Sequence, residues 1–232
     1  MKTIGLLGGM SWESTVSYYQ IINRAVGERL GGLHSAKILL YSVDFAEIER
    51  LQHADRWVEA GSLLSEAAMA LEGAGADFLV ICTNTMHRVA PDIEALVQVP
   101  LLHIADPTAE AIKAAGISTV GLLGTRFTME QDFYRGRLEK KFGLTVHVPE
   151  PASRELVHEV IYQELCRGVI SETSRANLQR VVSELIGVGA EAVILGCTEI
   201  GLLLRAEDVS IPLFDTTLLH AEAAASFALA GH

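Results

Sequence analysis

With 232 residues, half of them hydrophobic, the chain is long enough for two small lobes or one large α/β domain, and its apolar runs stop well short of the ~20 residues that span a bilayer. The N-terminus lacks the apolar core and cleavage site of a secretory signal, and the three cysteines, Cys82, Cys166 and Cys197, are odd in number and without metal-ligand spacing. The expectation is therefore a cytoplasmic protein with reduced thiols, no disulfide framework, no metal and no membrane partner. A net charge of −11 argues against nucleic acid, which needs dense Lys and Arg, but leaves room for a small anionic substrate held by backbone N–H groups at helix N-termini.

Strand and helix signals alternate from the start. IGLLG is followed by a helix over about residues 14–30, ILLYSVD by a long helix over about 55–73, and FLVICT by another helix. Near Asp106 and Pro107 the first lobe hands over to the second. There TVGLLG leads to a helix over 129–142, TVHVP to helices within 153–187, and AVILGCT to the segment PLFDTT. A small-residue helix, HAEAAASFALA, closes the pattern. This is the βαβ rhythm of parallel sheets, and the fold class expected is α/β with two pseudo-symmetric lobes, each a parallel sheet flanked by helices. Residues 1–105 form the first lobe, completed by 209–232, and 106–208 form the second.

The pseudo-symmetry is read from three ordered echoes. KTIGLLGGM from Lys2 recurs as STVGLLGTR from Ser118, ADFLVICTNTMH from Ala76 as AEAVILGCTEIG from Ala190, and VPLLHIAD from Val99 as IPLFDTTL from Ile211. Buried parallel strands are all rich in Val, Ile and Leu, so hydrophobic echoes alone mean little. The polar ends, CTNT and GCTE, are the informative part, and they set Thr83 against Cys197. A pseudo-two-fold would bring such ends to opposite sides of one cleft, which suits chemistry on both faces of a carbon.

Ligands of parallel sheets gather outside the carboxyl ends of the strands, where GGMSWES, CTNTMH, GTRFTME and GCTEIG all fall. Gly8, Gly9 and Gly124 would let backbone approach a ligand closely. IGLLGGM departs from GxGxxG, so no dinucleotide site is expected. Cys197 stands where a strand ends and a helix begins, and a helix N-terminus lowers a thiol from its usual pKa of ~8.5 toward a thiolate able to act as base or nucleophile. A free Cys is as often a small core residue. Alternation assigns that fate to Cys82, which points away from Thr83. His87 and His103 read as packed or solvated histidines. Asn84, Thr85, Thr125, Thr198 and Gln52 are neutral donors suited to a carboxylate.

Taken together, GLLGGMSWEST, CTNTMH, GLLGTRFTM, the IYQELCRG stretch with SR following, and GCTEI make the chain resemble the aspartate/glutamate racemase superfamily over nearly its whole length. The aspartate racemase branch, which includes broad-specificity bacterial amino-acid racemases, is the most similar. The resemblance implies an active site between two lobes, no pyridoxal phosphate or other cofactor, and frequently a homodimer. It also implies a pair of catalytic thiols, one removing the α-proton of an amino acid as a thiolate and the other returning a proton to the opposite face. Here the family's first cysteine, which immediately precedes Asn and Thr, is replaced by Thr83, while Cys197 matches the second. A hydroxyl is a far weaker acid than a thiol. The expectation is an asymmetric racemase of L-Asp or L-Glu in which Cys197 abstracts the proton and Thr83 supplies or relays the other. Asn84, Thr85, Thr125 and Thr198 would contact the carboxylate, with Met10 and Gln52 shaping the pocket. Where aspartate-specific members often carry a Lys, this chain has Cys166 followed by Arg167. A cis-trans isomerase or decarboxylase of small dicarboxylates, or a non-catalytic amino-acid-binding protein, are the alternatives.

Overall fold

A computed structural model describes residues 1–230, which divide into two compact units. The first comprises Met1–Ile104 and the chain from His220 onward. Its elements run β1 (Ile4–Gly8), α1 (Trp12–Leu30), β2 (Ile38–Ser42), α2 (Phe45–His53), α3 (Trp57–Gly73), β3 (Phe78–Ile81), a 3-10 turn (Thr85–Val89), α4 (Ala90–Glu94) and β4 (Leu101–Leu102). The sheet has the order β2-β1-β3-β4 and every pairing is parallel, with Leu6 between Leu40 and Val80.

Helix α1 starts where Ser11 caps the Ser14 N–H, and it buries Tyr18, Ile22 and Val26, spaced one helical turn apart. These meet Ile4, Leu6, Phe78, Val80 and Cys82 of the sheet. The layer is completed by Ala221, Ala224, Ala225 and Ala228 of the last helix, whose short side chains suit close helix packing. Each large apolar side chain buried this way contributes about 1.5–3 kcal/mol before the entropy of ordering is subtracted.

The second unit, Ala105–Leu219, runs α5 (Ala105–Ala114), β5 (Thr119–Gly124), α6 (Arg126–Glu130), α7 (Asp132–Phe142), β6 (Thr145–His147), α8 (Pro151–Glu159), α9 (Glu172–Gly187), β7 (Ala192–Gly196), α10 (Ile200–Leu203) and β8 (Leu213–Asp215). Its sheet order, β6-β5-β7-β8, again all parallel, repeats that of the first unit strand for strand. Helix α11 (Thr216–Leu229) follows. Asp106 of α5 is gripped by Arg137 at 2.5 and 2.7 Å and by Lys141 at 2.8 Å from α7. Burial pushes its carboxyl up, but the two cations outweigh it and hold the pKa below the ordinary value.

Three sequence expectations change. Residues 209–219 lie with the second unit rather than the first, because β8 pairs with β7 through Leu195 and Asp215; only the chain from His220 counts with the first unit, and residues 231–232 of the expected segment lie outside the described residues. The run 129–142 breaks at Gln131, whose backbone is extended at φ −94° and ψ 154°. The run 153–187 is interrupted by a π-helical turn (Val160–Glu164) and a 3-10 turn (Leu165–Arg167). No described helix is long and apolar enough to cross a membrane.

Candidate active site

In the first unit the polar motifs close on each other around the ends of β1 and β3. Gly9 takes a positive φ of 91°, and a Cβ there would collide with the Val43 backbone. One on Gly8 would lie 2.5 Å from the Thr15 methyl. These glycines therefore admit the protein's own chain, which corrects the expectation that they admit a ligand. Thr15 Oγ1 accepts the Gly9 N–H at 2.8 Å and donates to the Ser11 carbonyl at 2.9 Å, fixing the turn that carries buried Met10. Ser14 Oγ donates to the Cys82 carbonyl at 3.0 Å, tying that turn to the end of β3. Thr83, partly buried, comes next, followed by Asn84 and Thr85, both buried. Gln52, on α2, is buried too, and its Nε2 donates to the Met86 sulfur at 3.0 Å. Cys82 is fully buried in the core, where loss of solvation pushes its thiol far above the ordinary value.

In the second unit a Cβ on Gly124 would lie 2.8 Å from the Gly196 carbonyl, so this pair too serves close strand packing. Thr125 caps α6, its Oγ1 accepting the Thr128 N–H at 3.3 Å. Beyond β7, the Cys197 thiol donates to Glu199 Oε2 at 3.1 Å, and Thr198 Oγ1 donates to the same oxygen at 2.6 Å. Cys197 and Glu199 are both buried and Thr198 is partly so. The thiol is pushed well above its ordinary value, first by burial, then by the Glu199 charge and then by Cys166. This reverses the expectation of a thiol acidified by a helix N-terminus. Helix α10 has only 4 residues and begins at Ile200, too short to outweigh desolvation and a neighbouring carboxylate. The thiol is held in a hydrogen bond to a buried carboxyl group.

The expected site residues thus fall into two sets. Met10, Gln52, Thr83, Asn84 and Thr85 gather at the strand ends of the first unit, and Thr125, Cys197 and Thr198 at those of the second. Glu199 is the addition. The sequence shows it only as a neighbour of Cys197, and its tie to the thiol depends on a side-chain direction that spacing does not reveal. His158 is a second addition. It is buried on α8, and its Nδ1 accepts the Arg126 N–H at 3.3 Å, holding the residue that follows Thr125. Among the described residues no group of three or more His, Cys, Asp or Glu side chains is placed to hold a metal.

Residues 7–224 match the model of the Asp/Glu/hydantoin racemase family. The broad specificity amino-acid racemase RacX of Bacillus subtilis is 24% identical over 98% of this chain and 98% of its own length. A crystal structure of a candidate Asp/Glu racemase from Yersinia pestis is 59% identical, with a TM-score of 0.92 over 99% of this chain and 100% of its own. An aspartate racemase homologue from Pyrococcus horikoshii is 35% identical, with a TM-score of 0.84 over 98% and 99%.

Proposed function

The chain belongs to the Asp/Glu/hydantoin racemase family, whose members are isomerases, and from that membership we propose that it racemises free amino acids, L-Asp and L-Glu foremost, without a cofactor. In this reading Glu199 takes the Cys197 proton, the thiolate removes the α-proton of the L-enantiomer, and Thr83 donates or relays from water the proton that arrives on the opposite face. Solvent then restores the proton of Thr83 and takes up the proton held by Glu199, which returns both ends to their starting states. The negative charge that develops on the α-carbon and carboxylate is stabilised by preorganised neutral donors, to which Asn84, Thr85, Thr125 and Thr198 are assigned, with Met10 and Gln52 shaping the pocket. The reading requires Thr83 and Cys197 to reach opposite faces of one Cα. It carries with it a homodimer, as the resemblance implies, and a cytoplasmic location; sedimentation of the purified chain checks the dimer.

The observation that supports it most is the Cys197–Glu199 hydrogen bond, a thiol and its proton acceptor held together out of water at the end of β7. The test is incubation in D2O with L-Asp, L-Glu and their D-enantiomers, following α-deuterium by NMR and configuration by chiral chromatography. Exchange with inversion that disappears in Cys197→Ser is the expected result. The equilibrium constant of a racemisation is one, so a kcat favouring the L-side is balanced in KM. Exchange with no inversion leaves a one-face reaction and overturns racemisation.

A further inference from the structure

Thr83 is the weak acid of the proposed pair, and the structure holds its backbone in a way that has no counterpart at Cys197. We propose that His87 is a positioning residue for Thr83, a role that rests on the racemase reading above. His87 lies buried in the 3-10 turn that follows Thr83. The Ile104 N–H donates to its Nε2 at 3.1 Å. A backbone N–H can only donate, so Nε2 carries no proton, and the ring proton sits on Nδ1, which donates to the Thr83 carbonyl at 2.8 Å. The imidazole is fixed as one neutral tautomer with both nitrogens engaged by backbone, so it acts by holding and does not shuttle protons.

What it holds matters for the reacting group. In a planar trans peptide the C=O and the next N–H point in opposite directions, so a grip on the Thr83 oxygen also aims the Asn84 N–H and sets the backbone from which the Thr83 hydroxyl projects. The grip is itself braced. The His87 ring packs 4.5 Å from His103 and 5.7 Å from His220. His220 spans the Leu102 carbonyl at 2.8 Å and the Tyr18 hydroxyl at 2.9 Å, so β4, α11 and α1 all bear on the Thr83 turn. In the second unit the echo places Gly201 where His87 stands, and the Cys197 carbonyl instead accepts the Ile200 N–H at 3.2 Å. A large polarisable thiol tolerates looser placement than a hydroxyl that must deliver its proton along a short hydrogen bond.

Two substitutions separate the two ring contacts. In His87→Asn the amide N–H lies near the position of Nδ1 and keeps the bond to Thr83; in His87→Gln the amide reaches the position of Nε2 and keeps only the bond to Ile104. With L-substrate in D2O, H87Q should cut inversion about tenfold or more, as misplacing a reacting group does, and raise the ratio of α-deuteration in recovered L-substrate to inversion by a similar factor. H87N should stay within about threefold of wild type on both readouts. Thermal melts of both variants control for folding. Equal losses in the two variants, or inversion and exchange falling together, overturn the positioning role while leaving the racemase standing. A wild type without α-proton exchange on any amino acid sinks the racemase reading and this role with it. Nitrogen-15 NMR of the wild type provides a check independent of folded variants: the Nδ1-protonated neutral pattern is expected for His87, and an Nε2-protonated or imidazolium pattern overturns the clamp.

Discussion

The loop that leaves β3 and the loop that leaves β7 stand at the same place in two sheets of identical strand order, yet they carry different chemistry. Aligned by the echo, Cys82 meets Gly196, Thr83 meets Cys197, Thr85 meets Glu199 and His87 meets Gly201. The first loop places its cysteine in the core and presents a hydroxyl whose backbone an imidazole grips. The second places a thiol beside a buried carboxylate. A Cβ on Gly196 would come within 2.8 Å of the Leu123 carbonyl, so the core position that accepts a cysteine in one unit accepts only glycine in the other. The two units share the backbone route and carry different groups on it, one end ionisable and the other neutral.

The largest effect should come from removing the ionisable end. Cys197→Ala should lower both α-proton exchange and inversion by about a thousandfold or more, since the only thiol assigned to the reacting carbon is gone. Thr83→Ala should instead abolish inversion and leave exchange in L-substrate measurable. If the two variants lose exchange equally, the two ends are not distinct in the way their contacts indicate. Thr83→Cys is the next step down. It rebuilds a pair of thiols, and D-substrate turnover should rise about tenfold, narrowing the L-to-D difference. An unchanged ratio of L to D rates in T83C removes Thr83 as the source of the asymmetry.

Much of this comparison is legible in the amino-acid sequence alone. Buried parallel strands are Val-, Ile- and Leu-rich runs that stop at polar residues, so β1, β3, β5 and β7 and their loops stand out, and the echo pairs Thr83 with Cys197. Interruptions inside helices were not legible. The stretch VIYQELCR contains neither Gly nor Pro, so no breaker residue within it announces its π-helical and 3-10 turns. The segment after VDF reads as either loop or helix because FAEIERLQH is short; the structure makes it helix α2, which Asp44 caps by accepting the Ala46 N–H at 3.1 Å. The acidity of Cys197 depends on burial and on where the Glu199 carboxylate points, tertiary facts that local sequence does not carry. The His87 clamp joins Thr83, four residues back in the chain, to Ile104 at the end of the first unit, and this second pairing is one that no local pattern encodes.

Glu199→Gln probes the second end with a smaller expected effect. Loss of the proton acceptor should lower kcat about ten- to a hundredfold. The thiol itself should move the other way. The Glu199 charge raises the pKa of Cys197, so neutralising that charge makes the thiolate easier to form, and the pH profile of Cys197 alkylation should shift to lower pH. Burial, the larger cause, stays in place and keeps the group above the ordinary thiol value. An enzyme that becomes slower while its thiol becomes more acidic identifies the carboxylate as the proton acceptor. A profile that moves to higher pH would contradict the electrostatic account of the pair.

The smallest effect should come from Cys82, and its smallness is what tests the register of the comparison. A first unit that used its own cysteine, one residue early, would lose inversion in Cys82→Ala and keep it in Thr83→Ala. The contacts argue the reverse. The Cys82 N–H donates to the Leu7 carbonyl at 2.9 Å, and its own carbonyl accepts from Ser14 Oγ at 3.0 Å. Both bonds belong to the backbone and survive a change of side chain. The thiol adds a long 4.0 Å hydrogen bond to the Val80 carbonyl and packing in the cluster that holds Tyr18, Ile22, Val80 and the alanines of α11, so its deletion should cost about 1–2 kcal/mol, mainly through lost burial and the small void left behind. Chemical denaturation should report that loss, while exchange and inversion at 25 °C should match wild type within about twofold. A C82A enzyme that is stable but unable to invert its substrate would move the reacting position of the first unit from Thr83 to Cys82 and restore a two-thiol mechanism.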